Sequence, residues 1–259
     1  MASPLWLEQI SKDLRLKKDT IDIWCISLDL DEPCLHLFEQ VLSEEERSKA
    51  MRMRIEEPRK HYVAARAILR QIIAAYMKEK PERLEFQYGP NDKPALAEKF
   101  SSTDITFNMS HSHGLALYGV TLKREIGVDI EKIRQDMAIT DLAKRFFSTR
   151  EYDKMIKLPA EQQVQGFFNC WTRKEAYLKS TGQGLKFPLS HFDVSLAPGE
   201  PAALLEHQTD PEQVSLWSIA ELDVVPGYAA ALSVEGKDFI ISYKYLPRNC
   251  TDKHGNFKT

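Results

Sequence analysis

Cysteine is scarce in this chain of 259 residues: Cys25, Cys34, Cys170 and Cys250 are widely scattered and include no C-x-x-C pair. The pattern argues against a disulfide scaffold and against a structural zinc site. An excess of one charge is also lacking. The 35 Lys and Arg face 38 Asp and Glu, a formal net charge of -3. Nothing therefore draws the whole molecule to nucleic acid or to an anionic membrane, and a polyanion must be met by a local basic patch. No apolar run approaches the ~20 residues of a membrane span. Residues Met1 to Ile10 lack a basic region followed by a long apolar stretch, so a soluble cytoplasmic protein is expected. What is present is ordinary: 43% hydrophobic and 28% charged residues, enough to bury a real core.

Ile21 to Leu28 has the β-former pattern of a half-buried strand. Ser43 with Glu46 forms a capping box that starts a helix, and Pro58 suits the first turn of a second helix running to about Lys78. A short strand at Leu84 to Tyr88 is followed by the turn G-P-N-D. Further strands are expected at Thr106 to Ser110, Leu115 to Leu122 and Glu125 to Ile130. Helices follow at Ile139 to Phe147, Thr149 to Lys157 and Ala160 to Ser180. Strands return at His191 to Ser195, Val214 to Ile219, Tyr228 to Val234 and Phe239 to Tyr245. Helices in blocks between runs of short strands, without βαβ alternation, give an α+β class with mainly antiparallel pairing. Ser43, Glu46 and Lys49 recur at the spacing of Ser148, Glu151 and Lys154, an internal echo that suggests two similar halves.

The pentapeptide Gly127-Val128-Asp129-Ile130-Glu131 stands out. On a strand, Asp129 and Glu131 share one face while Val128 and Ile130 face a core. Such a pair either solvates an exposed sheet face or holds a hard cation such as magnesium. In F-F-N-C-W-T-R-K-E-A-Y-L-K-S, residues Phe167 to Ser180, Glu175 and Lys179 lie one turn apart. They are either an ordinary surface ion pair or a further metal ligand with a phosphate clamp. Lys174 is expected to pack its stem beside Trp171 and extend its ammonium outward.

Together these segments resemble the 4'-phosphopantetheinyl transferases, specifically the larger surfactin-synthetase-activating (Sfp-like) type, one chain with two similar halves. The matching pieces are F-N-M-S-H-S at Phe107 to Ser112, G-V-D-I-E-K at Gly127 to Lys132, K-R-F-F-S at Lys144 to Ser148, W-T-R-K-E-A-Y-L-K at Trp171 to Lys179, and T-G-Q-G-L at Thr181 to Leu185. The resemblance implies a pseudo-twofold fold, each half a small mainly antiparallel sheet packed by helices, with the active site between the halves. It implies transfer of 4'-phosphopantetheine from coenzyme A to a serine of an apo acyl or peptidyl carrier protein, with release of adenosine 3',5'-bisphosphate. Asp129, Glu131 and Glu175 would bind magnesium, or manganese in its place, with the coenzyme A pyrophosphate. Glu175 would deprotonate the serine, Lys179 would stabilise the transferred phosphate, and Lys174 would meet the pyrophosphate. Ser110 and His111 would meet the nucleotide near its 3'-phosphate, together with Lys49, Arg54 and Lys93. Arg59, Arg66 and Arg70 complete the pool of cations. The family position one turn before Lys49 is basic, and here it is Glu46.

The expected division is residues 1–122 for nucleotide contacts, 123–247 for metal and catalysis, and 248–259 as a loose tail. A chain of this length can supply both halves itself, so a monomer is expected. A non-catalytic binding module would have lost one of the three acids, and a metal-dependent nuclease would want a broadly basic groove.

Overall fold

The computed structural model describes residues 14–245 apart from 90, 92, 185 and 186. The expected tail at 248–259, Cys250 and Leu185 of the T-G-Q-G-L match lie outside the described residues. The first sheet is built on β1 (Thr20–Ser27), which pairs antiparallel with β5 (Leu115–Leu122), itself antiparallel to β4 (Ile105–Ser112). On the far side β11 (Ile240–Tyr245) joins β1 in parallel, giving the order β11-β1-β5-β4. Three helices cover this sheet: α1 (Glu32–Glu39), α2 (Glu44–Arg52) and α3 (Glu56–Met77). Val63, Ala67, Ile68 and Ile72 of α3 recur at helical spacing and pack into one core with Trp24, Phe38 and Tyr118. A small hairpin, β2 (Phe86–Tyr88) with β3 (Pro94–Leu96), follows α3.

The second sheet has the order β6-β10-β9, from β6 (Ile126–Lys132), β10 (Tyr228–Glu235) and β9 (Trp217–Glu221). Helices α4 (Ile139–Phe146), α5 (Thr149–Ile156) and α6 (Ala160–Thr181) precede a hairpin of β7 (Phe192–Val194) with β8 (Leu204–His207). The last helix is the single turn α7 (Gln213–Leu216).

One set of contacts occurs twice. Ser43 and Glu46 close a capping box on α2, and Ser148 and Glu151 close one on α5. Arg70 then binds Glu46 at 2.5 Å, and Lys174 binds Glu151 at 2.8 Å. Each is the fifteenth residue of a helix of 22. Arg70 also donates to the carbonyls of Pro81 and Leu84, as Lys174 does to those of Leu189 and Phe192. The physical need is the same in both places. A carboxylate that caps a helix from a buried position requires a cation, and that cation's spare donors then fix the chain after the long helix.

The sheets meet where β4 runs beside β6. Alternate side chains of β4 cross to it: Asn108 Oδ1 accepts from Val128 N at 3.0 Å, Ser110 Oγ donates to Asp129 Oδ1 at 2.8 Å, and Ser112 Oγ donates to Glu131 Oε2 at 2.8 Å.

Several local expectations change, and β3 and β8 are strands where none was expected. Residues 32–39 are helical although no helix was predicted there; Asp31 caps them by accepting from the Cys34 amide at 2.9 Å. The strand expected from Val214 begins at Trp217, because 213–216 form a helical turn. Leu84 precedes its strand rather than joining it, as its carbonyl is held by Arg70.

Candidate active site

Strand periodicity places the acids as expected. Val128 and Ile130 are fully buried, and Asp129 and Glu131 face a cleft of about 500 Å³. Gly127 brings α6 close: a Cβ there would lie 2.1 Å from the Ala176 carbonyl oxygen and 2.4 Å from the Ser180 nitrogen of that helix. With that approach, Trp171, Glu175 and Lys179, successive turns of one helical face, line the same cleft as the two strand acids. Opposite them stand Met109, Ser110 and His111 of β4, Tyr62, Ala65 and Arg66 of α3, and Pro94 of β3.

Lys179 Nζ lies 2.6 Å from Asp129 Oδ1 and donates to Ser110 Oγ at 2.8 Å. Burial, then repulsion from Asp129, raises the Glu175 carboxyl to about 7 against the opposing effect of Lys179. Burial and Asp129 also raise Glu131, partly offset by the hydrogen bond from Ser112. Asp129 Oδ2 and Glu175 Oε1 are buried without a hydrogen-bond partner among the described residues. Orphaned, mutually repelling carboxylate oxygens fit a hard divalent cation, which takes oxygen ligands and neutralises the cluster. Among the described residues no three such side chains already stand at ligating positions. Lys179 supplies a positive charge at Asp129 instead.

Lys174 is where the sequence expectation fails. Its side chain is fully buried; Nζ binds Glu151 at 2.8 Å, donates to the Leu189 carbonyl at 2.6 Å and sits 4.3 Å from the Phe192 ring centroid. The ammonium runs inward because a buried capping carboxylate, Glu151, demands it, so Lys174 is a core ion and not a pyrophosphate ligand. Glu151 stands 23 positions earlier, and sequence spacing gave no sign that the two meet.

The nucleotide-binding candidates divide. Ser110 and His111 line the cleft, but Ser110 is engaged by Asp129 and Lys179, at the acidic end. His111 is exposed at the cleft; partial desolvation against the cleft wall, with Lys179 and His61 nearby, lowers its imidazole. Of the arginine pool only Arg66 lines the cleft, and it pairs with Glu46 at 2.6 Å. Burial alone would raise Glu46, yet Arg66 and Arg70 together hold it below its ordinary value. Arg70 is locked behind Glu46, and Arg59 lies 4.0 Å from Glu39. Lys49 is exposed, with Nζ 5.6 Å from the ring centroid of Tyr62 at the cleft wall. Arg54 is exposed in the link from α2 to α3. Lys93 lines a different cavity and binds Glu125 at 3.0 Å.

Sequence reasoning passed over Tyr62, Met109 and Ser112 at this site. The alternation of Asn108, Ser110 and Ser112 was the available signal that one polar face of β4 meets another element.

Two family profiles match the chain: "4'-phosphopantetheinyl transferase superfamily" over residues 125–233 and "4'-phosphopantetheinyl transferase, N-terminal" over 32–119. The 4'-phosphopantetheinyl transferase HetI of a Nostoc species is 39% identical over 236 residues, 91% of this chain and 96% of the relative. The 4'-phosphopantetheinyl transferase Sfp of Bacillus subtilis is 28% identical over 215 residues, 81% and 91% of the two chains. The crystal structure of a holo-(acyl-carrier-protein) synthase from Bacillus anthracis in complex with CoA (3',5'-ADP) aligns with 44% of this chain and 96% of its own, at 20% identity and a TM-score of 0.36.

Proposed function

Since the chain belongs to the 4'-phosphopantetheinyl transferase superfamily and is a transferase, we propose that it moves 4'-phosphopantetheine from coenzyme A to a serine of an apo acyl or peptidyl carrier protein, with magnesium bound by Asp129, Glu131 and Glu175. The observation that carries this reading is the pair of orphaned oxygens, Asp129 Oδ2 and Glu175 Oε1, in one cleft with Lys179. Bound magnesium would supply charge neutralisation at the pyrophosphate.

The protein's own groups do the rest. Glu175 accepts the proton of the serine hydroxyl, directly or through a water. The serine oxygen forms a bond to the β-phosphorus as the bond to the bridging oxygen breaks, and adenosine 3',5'-bisphosphate leaves with the electron pair. Lys179, released from Asp129, stabilises the negative charge on the phosphoryl group in transit. Ser110 and His111 bind the nucleotide portion, and Trp171 closes one side of the cleft against water.

The same reading takes the twice-occurring contact set as two halves related by a pseudo-twofold axis: residues 1–122 carrying nucleotide contacts and 123–247 the catalytic acids, with β11 lent to the first sheet. One chain provides both walls of the cleft, which supports a monomer. The carrier approaches the open cleft with its acidic helix against mixed basic and apolar surface. Among the described residues no helix is long and apolar enough to cross a membrane; the proposed location is the cytoplasm.

The test is incubation with magnesium, coenzyme A and several apo carriers, followed by intact mass measurement. A gain of one phosphopantetheine on the carrier is expected, and a binding module or a nuclease would give none.

A further inference from the structure

The turn between β2 and β3 reaches from one sheet system to the other. Asn91 Nδ2 donates to the carbonyls of Gly182 and Gln183, each at 3.1 Å. Lys93 Nζ donates to the Ser180 carbonyl at 3.2 Å and pairs with Glu125, at the start of β6, at 3.0 Å. The fit around Asn91 is tight, since a Cβ at Gly184 would come within 2.4 Å of its Cγ, and Gly184 has a φ of +62°. All three carbonyls lie at the C-terminal end of α6, where backbone acceptors lack intrahelical donors and a cation is favoured by the helix dipole. Lys179 is on that last turn, and Pro94, next to Lys93, lines the catalytic cleft.

We propose that Asn91 and Lys93 form a clasp that closes the end of α6 from the opposite half and so fixes Glu175 and Lys179 over Asp129. Both are positioning residues for the proposed transfer reaction, and the inference rests on that reading. Lys93 acts through Ser180 and Glu125, in a cavity separate from the catalytic cleft. Losing the clasp lets the last turn fray, which displaces Lys179 first and Glu175 less.

The test uses the full chain as wild type, Asn91→Ala, Lys93→Met and Lys93→Arg, with transfer kinetics and hydrogen exchange of the segment 176–184. Asn91→Ala and Lys93→Met should lower kcat roughly tenfold or more while the KM for coenzyme A moves less than about threefold. Lys93→Arg should recover most of the loss, because a guanidinium also spans Ser180 and Glu125. Exchange at 176–184 should accelerate in both deficient variants and return with arginine. Unchanged kcat with a raised, salt-dependent KM for coenzyme A would make Lys93 a nucleotide ligand and overturn the proposal, as would unchanged exchange. If the wild-type chain transfers nothing, the functional reading fails, and hydrogen exchange alone still decides whether the clasp holds the helix end.

Discussion

Gly127 and Ala176 approach so closely that a Cβ on the first would sit 2.1 Å from the carbonyl oxygen of the second. The contact is backbone to backbone, so no rotamer can relieve it. Gly127→Ala must push α6 away from β6, and overpacking of this kind costs about 1–3 kcal/mol. A shift near 1 Å at the acids should cost on the order of a hundredfold in kcat/KM. Thermal unfolding together with steady-state kinetics checks both effects; wild-type kinetics would show that the site does not depend on this approach.

Glu175→Gln removes both the proposed base and a charge that the fold holds at some expense. The folded pKa of about 7 lies above the ordinary 4.5, so the native state binds the proton more tightly than the unfolded chain. For the metal-free protein, this group therefore lowers stability as pH rises from about 4.5 to 7, and the penalty stays constant above that. Its size is on the order of 1–3 kcal/mol. Metal-free Glu175→Gln should thus melt above wild type at pH 8 and nearly with it at pH 4, while transfer is abolished. Melting curves in a chelator at the two pH values decide the matter.

Lys174→Met and Lys179→Met should part company. The first strands Glu151 in the core, where breaking a buried pair costs about 3–5 kcal/mol, and the material that still folds should keep its KM for coenzyme A. The second removes a part-exposed ammonium but leaves the buried Asp129 without its cation, which should cost less, about 1–3 kcal/mol, and it lowers kcat about a hundredfold or more. Denaturant midpoints and kinetics on both variants provide the comparison. A Lys174→Met protein of normal stability and weakened coenzyme A binding would restore the pyrophosphate role that the sequence suggested.

Magnesium should raise the melting temperature of the wild-type protein, by an amount equivalent to about 2.7 kcal/mol at a hundredfold excess over Kd. Asp129→Asn should show no such rise, because Asp129 bears the buried orphan oxygen. A chelator should stop transfer and added magnesium should restart it. Equal melting shifts in both proteins would place the ion elsewhere.

The strand acids, the helix with Glu175 and Lys179, and both capping boxes were legible in the sequence because each is a local pattern with period two, period 3.6 or a three-residue spacing. The α1 helix was equally local, signalled by Asp31 two residues before Pro33, and was passed over among turn-forming residues. Long side chains were the part that sequence could not place. Lys174 and Lys93 both sit in motifs that suggest phosphate binding, and each is drawn away by a partner distant in the chain, Glu151 for one and Glu125 with Ser180 for the other. A cation's direction is set by the nearest uncompensated acceptor, which is a property of the folded packing.

The parallel pairing of β11 with β1 sets Thr20 opposite Ile240. At ribosomal speeds of about 5–20 residues per second, β1 spends roughly 10–40 s outside the exit tunnel before its neighbour is made. Throughout that interval one edge of the first sheet has open hydrogen-bonding groups, a template for stray pairing. Synthesis thus imposes an order on assembly: the β1-β5-β4 core can form early, but the molecule is sealed only when the strand at 240–245 arrives. Ribosome-bound chains halted before residue 240 should accordingly be more protease-sensitive at β1 than chains halted well beyond 245.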